Sequence, residues 1–183
     1  MNPLLSHRVL SKFQHALGLT LVEVLVVLTI VSILTVSAVP SFSSAIERHR
    51  INGVTGDLQH AFMQARAQAL ATGQRVVVAP LVGNDWVRGW RVFMDTNNNG
   101  ALDGAERVLQ VFEARGTDVV LLPSERLFED GNSRVSFTAF GVPRALNGTT
   151  FADGFIEVSL GATARTVCLD VQGRSHVIEF GAC

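Results

Sequence analysis

The sequence predicts an α+β protein: one long, kinked N-terminal helix, half transmembrane and half amphipathic, packed on an antiparallel β-sheet head. Three observations carry this expectation. Residues Leu19–Val39 form a run of 21 with no Gly, no Pro and a single charge, Glu23. From Phe42 to Leu70 apolar residues recur at steps of mostly three and four, the period of a helix with one buried face. Beyond Gly73 that period stops, and short β-branched or aromatic runs alternate with turn residues, as strands and hairpins do.

A helix over Leu19–Val39 is long enough for the hydrocarbon of a bilayer, which takes about 20 apolar residues. Thr20, Thr29, Ser32, Thr35 and Ser37 interrupt it only as hydroxyls, and these can bond back to the helix's own carbonyls. The run is far longer than the apolar core of a secretory signal, and no Ala-x-Ala site follows it. Glu23 is the odd feature. A carboxylate inside an apolar helix is costly and reads as a functional group with a partner. Pro40 follows directly; lacking an N–H, it is expected to kink or locally open the helix.

In the second half of the helix, Phe42, Ile46, Val54, Leu58, Ala61, Phe62, Ala65, Ala69 and Leu70 form the apolar stripe. Glu47, Arg48, Arg50, Asp57, Gln64, Arg66 and Gln68 fall elsewhere. Gly53 and Gly56 weaken the helix by up to about 1 kcal/mol each. Thr72-Gly73 supplies the stop, with Gly73 suited to a left-handed cap. Strands are expected at 75–79, 90–94, 107–112, 119–122, 134–137, 155–160, 165–169 and 176–180, with long loops over Pro123–Ser133 and Gly141–Gly154.

The order of basic leader (Arg8, Lys12), Gly18, apolar residues and Glu23 resembles the class III signal of type IV pilins and type II secretion pseudopilins. Leu19 stands where Phe or Met is usual. The resemblance implies a pilin-like fold and four segments: a leader over 1–18, removed by prepilin peptidase; a transmembrane helix over 19–39; an amphipathic helix over 40–73; and a β-rich periplasmic head over 74–183. Leu19 would become an N-methylated N-terminus. Glu23 would meet the terminal amine of a neighbouring subunit in the filament, since a buried carboxylate is tolerable only beside a cation. Pro40 falls where pilins commonly carry a helix-breaking Pro. The basic leader puts residues 1–18 on the cytoplasmic side of the bacterial inner membrane. The head then lies in the periplasm, and in a pilus or pseudopilus after assembly.

Beyond Val39 the chain has 13 Arg and no Lys against 15 Asp and Glu, so no bulk charge draws it to nucleic acid. Its two cysteines, Cys168 and Cys183, are expected to pair in a chain exported to an oxidising compartment. No cofactor is required by this reading. One loop matches the calcium pattern D-x-[DN]-x-[DN]-G-x5-E throughout. Asp95, Asn97, Asn99, the Ala101 carbonyl, Asp103 and Glu106 are its candidate Ca²⁺ ligands. Its flanks look like strands and not the helices of an EF-hand; the competing reading is a hairpin loop in which Asn and Asp side chains mimic backbone turns. Gly89-Trp90-Arg91-Val92-Phe93 leading into that turn resembles the heads of the GspH/FimT (FimU-like) family.

Gly173-Arg174-Ser175-His176 resembles part of the Gly-Arg-x-Arg motif with which FimT-type minor pilins of natural transformation bind DNA. Arg174, His176 and Arg165 are the DNA candidates, with Arg144 a further cation that could join them. His176 in place of a second Arg weakens the attraction to phosphate, and a plain β-turn with a solvated Arg is favoured over it. No hydrolase, zinc-protease, phosphate-loop or dinucleotide motif occurs, and the five His share no spacing, so no enzyme is expected. The expected role is that of a minor pilin built into a type IV pilus near its tip to prime assembly. The alternatives are a type II secretion pseudopilin for protein export and a pilus-tip DNA-binding subunit. Replacing Gly18 by any residue larger than Ala should block processing, leaving a membrane-bound precursor heavier by the leader's 18 residues on mass spectrometry.

Overall fold

The computed structural model describes residues 18, 20–114, 116, 118–129, 131–146, 153–179, 181 and 183, and no side chain from 36 to 42 or at 129. The chain divides into two compact units, Met1–Ser41 and Phe42–Cys183.

Helix α1 (Leu21–Thr72) begins at Thr20, whose hydroxyl accepts the Glu23 N–H at 3.2 Å. Thr20-x-x-Glu23 is thus a capping-box spacing, with an acid in the first turn where the helix dipole favours it. In the first unit the hydroxyls of Thr29, Ser32 and Thr35 donate to the carbonyls of Leu25, Leu28 and Val31 at 2.7–2.8 Å. The expected back-bonding is therefore present at all three. The large apolar side chains of Leu21–Leu34 are exposed among the described residues of the first unit. Among the described residues no helix is long and apolar enough to cross a membrane; the described side chains of the expected span stop at Thr35. The helix runs unbroken through Pro40.

In the second unit α1 buries Ile51, Val54, Leu58, Ala61, Phe62, Ala65 and Ala69, a stripe at helical spacing. Two expected members fall off it. Ile46 is 55% exposed and Leu70 54%, because a stripe through Val54 and Leu58 turns these positions to its margin, and Ile51 takes the core place instead. Gly73 ends the helix at φ +67°, its N–H donating to the Ala69 carbonyl at 2.9 Å.

Two four-stranded antiparallel sheets complete the core. The first has the order β3-β2-β1-β7, from β1 (Arg75–Val82), β2 (Asp85–Asp95), β3 (Val108–Glu113) and β7 (Val135–Phe137). The second has the order β10-β9-β8-β4, from β4 (Val120–Pro123), β8 (Gly154–Leu160), β9 (Thr163–Leu169) and β10 (Ser175–Glu179). All eight expected strands are present. A short hairpin, β5 (Phe128–Glu129) with β6 (Asn132–Ser133), occupies part of the segment expected to be a loop. The inner faces of both sheets join the α1 stripe in one cluster, with Val76, Val78, Trp90 and Val92 from one sheet and Ile156, Val158, Val167 and Leu169 from the other.

Strand β2 needs Gly89 (φ +98°) because a Cβ there would run into the Phe112 carbonyl of β3. Beside it, Trp90 stacks on Phe112 with ring centroids 5.5 Å apart. Trp86 is buried and donates its indole N–H to the Ser133 hydroxyl at 2.7 Å, tying the β5–β6 hairpin to the core. Ser133→Ala strands that indole N–H and should cost about 1–3 kcal/mol, read as a lower urea midpoint at constant m-value.

Candidate functional site

Three places on the chain were singled out for chemistry, and the structure treats them differently. At the N-terminal site, Gly18 is exposed and has open space where a Cβ would stand. Leu19 lies outside the described residues, as does the Pro40 side chain. Glu23 is at the exposed N-terminal end of α1, and its N–H bond to Thr20 gives it a local capping position that sequence reasoning missed. The Thr-x-x-Glu spacing was the signal that could have found it.

The loop 95–106 follows β2 and closes on itself. Asp95 is fully buried, its two oxygens accepting the N–H groups of Asn99 (3.1 Å) and Gly100 (3.0 Å). The Asn97 and Asn99 side-chain oxygens accept the N–H groups of Asn99 and Ala101. Both of their amides donate to one Asp103 oxygen. Glu106 accepts from Thr96 through both N–H and hydroxyl, and from the Asp103 N–H. Among the described residues no group of three or more His, Cys, Asp or Glu side chains could hold a metal ion. In the structure Asp95, Asn97, Asn99 and Glu106 make the backbone bonds of the turn reading, and with Asp103 and the Ala101 carbonyl they are the residues that the calcium reading names. The loop is a hairpin connection, with Asn98 at φ +61° and Gly100 at φ +71° making the sharp turns.

Burial pushes the Asp95 carboxyl above its usual value of 3.8, and the nearby Glu106 charge adds to this. The N–H bonds of Gly100 and Asn99 and the Arg75 charge pull the other way without cancelling it. The folded protein thus holds this proton where the unfolded chain has released it. That contribution is complete below pH 3.8 and is lost as pH rises through the higher native value. The Asp95 contribution to unfolding free energy should fall with rising pH in this window, so Asp95→Asn should make the pH slope of unfolding free energy more positive than that of the unsubstituted chain, in urea titrations run at successive pH values.

The third place is the end of the head. Cys168 and Cys183 form a disulfide. Closing a loop of this separation, 15 residues, contributes about 3 kcal/mol on the chain-entropy account. The turn before β10 is held from within. Asp170 accepts from the Arg174 backbone N–H at 2.8 Å, from the Arg174 Nε at 2.8 Å and from the Gln172 N–H at 2.9 Å. Burial raises the Asp170 pKa, but these bonds and the Arg174 charge outweigh it and leave it lowered. Gly173, at φ +78°, is required because a Cβ would strike the Gly141 carbonyl.

The DNA candidates are not brought together. Arg165 pairs in register with Glu179, at the far end of the β9–β10 ladder from Arg174, and its guanidinium lies 4.0 Å from the Glu179 carboxylate. His176 lies opposite Cys168 and lines a cavity with it, whereas Arg174 and Ser175 line a cleft against α1. Arg144 is bound through its backbone to Ser136, beside β7. This arrangement is a self-braced turn, with Arg174 tied to a carboxylate.

Comparison with known proteins matches this geometry. Residues 14–39 fit the prokaryotic N-terminal methylation motif, which contains Gly18, Leu19 and Glu23. Two crystal forms of the type IV minor pilin FimU from Pseudomonas aeruginosa (strain PAO1) share the fold at 17% identity. One gives a TM-score of 0.53 over 72% of this chain and 90% of that one; the other gives 0.50 over 69% and 91%. No curated protein matches the sequence. Residues 54–173, more than half of the chain, fit the family described as type II transport protein GspH. With its methylation motif and its helix packed on antiparallel sheets, the chain belongs to the GspH family and has the pilin fold.

Proposed function

We propose that the chain is a minor pilin of a type IV pilus, processed by prepilin peptidase after Gly18 and built into the filament near its tip to prime assembly. The observation that carries this is a methylation motif with Glu23 at the start of an apolar helix, attached to a GspH-family head. The helix presents large apolar side chains on all sides over Leu21–Leu34. Such a surface is stable in lipid before assembly and against other helices afterwards. Retention in the inner membrane, with the leader in the cytoplasm and the head in the periplasm, follows from the basic leader.

Glu23 supplies the specificity of assembly. In a dry bundle of helices its carboxylate is offset by the α-amino group that peptidase cleavage creates on a neighbour. The likeness to a minor pilin of a pilus supports the pilus reading. The GspH family description supports the second one, a pseudopilin of a type II secretion apparatus. Twitching and secretion assays on a deletion strain separate the two. DNA binding is not adopted, because Arg174 is ion-paired and Arg165 stands at the opposite end of its strand.

Glu23→Gln keeps a side chain able to complete the capping box but removes the charge. Glu23→Gln and Glu23→Ala should both be cleaved normally and be lost from sheared filaments by immunoblot. Normal incorporation of either would overturn the paired-charge account.

A further inference from the structure

We infer that the cleft between α1 and the β9–β10 turn is a carboxylate site, taking an acidic side chain that a partner protein carries between apolar ones. This goes beyond the filament-subunit reading. It is a property of the head and stands or falls independently of leader removal.

The cleft has a volume of about 360 Å³ and is lined by Arg66, Met63 and Leu70 of α1 on one side and by Arg174 and Ser175 on the other. Its two sides are held together by polar bonds at close range. The Gln59 side chain donates to the Ser175 carbonyl at 3.3 Å, and the Arg66 Nε donates to the Gly141 carbonyl at 3.1 Å. A Cβ on Gly173 would stand 3.3 Å from that same Arg66 nitrogen, so the turn and the guanidinium touch. One nitrogen thus fixes the Arg66 fork at the cleft.

Donors are left over there. Arg66 spends its Nε on a neutral carbonyl, and among the described residues no carboxylate offsets its charge. Arg174 meets Asp170 through its Nε and its backbone N–H, and its two terminal nitrogens have no partner among the described residues. The Ser175 Oγ is buried and, among the described residues, has no hydrogen-bond partner. A buried hydroxyl left unpaired is uncommon in a folded protein and points to a group that completes it. Two guanidinium forks and a hydroxyl on one small cleft are a donor set for an oxyanion, and the planar fork matches a carboxylate. Because Asp170 offsets Arg174, the cleft holds one net positive charge, the complement of a single carboxylate.

The surroundings favour a protein as the carrier of that carboxylate. Met63 and Leu70 are half-exposed and flank Arg66 at helical spacing, on one face of α1. Phe140, next to the Gly141 that holds Arg66, is 83% exposed. Met, Arg and aromatic residues are the types enriched where proteins meet. A nucleic acid asks instead for several cations along its backbone. Here only Arg66 is uncompensated, and Arg165 stands at the far end of the β9–β10 ladder.

The test uses the full chain in detergent micelles, with isotope-labelled arginine read by NMR. The probes are the peptide acetyl-Leu-Glu-Leu-amide and its neutral isostere acetyl-Leu-Gln-Leu-amide. The Arg66 and Arg174 Nε–H resonances should shift saturably with the acidic peptide, and the isostere should bind several-fold more weakly. Arg66→Gln should weaken the acidic peptide several-fold. Arg66→Lys, which keeps the charge and loses the fork, should weaken it less, and Ser175→Ala should also weaken it. The comparison of the two peptides needs no substitution, so a variant that fails to fold does not shelter the inference. Equal affinity for the two peptides, or shifts that leave Arg66 and Arg174 untouched, would overturn it. So would tighter binding of inorganic phosphate or of a single-stranded oligonucleotide at these two arginines, or self-association that closes the cleft before any peptide is added.

Discussion

The apolar seam of α1 between Ile51 and Ala69 is what the rest of the head depends on. Both sheets bury their inner faces on it, and among the described residues no second α-helix covers them within the second unit. Ala61, Ala65 and Ala69 keep part of the seam shallow, while Leu58 and Phe62 fill the space between the sheets. A sheet with one apolar face needs such a partner to be stable. The same helix therefore has to satisfy two environments along its length, an exposed apolar surface over Leu21–Leu34 and a close-packed core from Ile51. That dual demand explains why its apolar pattern is continuous early and periodic late.

Much of this was legible in the residues because it rests on local rules. Gly73 ended the helix through the left-handed conformation only Gly adopts freely. The eight runs of β-branched and aromatic residues became strands, and Cys168 found Cys183. What was not legible depended on tertiary register. Ile46 and Leu70 looked like core by spacing, yet the seam is set by how the sheets dock, and this selected Ile51. The β5–β6 hairpin was hidden in a polar stretch because Trp86 and Asn84 stabilise it from a distant strand, through Ser133 and Gly131. Arg165 and Arg174 were candidates for one basic group. Antiparallel pairing puts them at opposite ends of a ladder, which no reading of spacing alone reveals.

The loop after β2 shows how one pattern serves two chemistries. Alternating Asp and Asn followed by Gly places oxygens around a point, and either a divalent ion or backbone N–H groups can occupy it. Here the N–H groups of Asn99, Gly100 and Ala101 take those oxygens, and Asp95 is buried to receive them. The energetic signature is a carboxyl held above its ordinary pKa. The Gly173–Arg174 turn has the opposite signature, since the bonds its own loop donates to Asp170, with the Arg174 charge, outweigh the effect of burial. Both are loops in which an aspartate accepts backbone N–H groups of its own turn.

The disulfide has a mechanical consequence. It joins the tail to β9, an inner strand hydrogen-bonded on both sides, and not only to the edge strand β10 that precedes the tail in sequence. A tensile load applied at the tail enters the sheet through Cys168, where it must shear two ladders at once. Without that covalent shortcut the same pull would peel β10 away one hydrogen bond at a time.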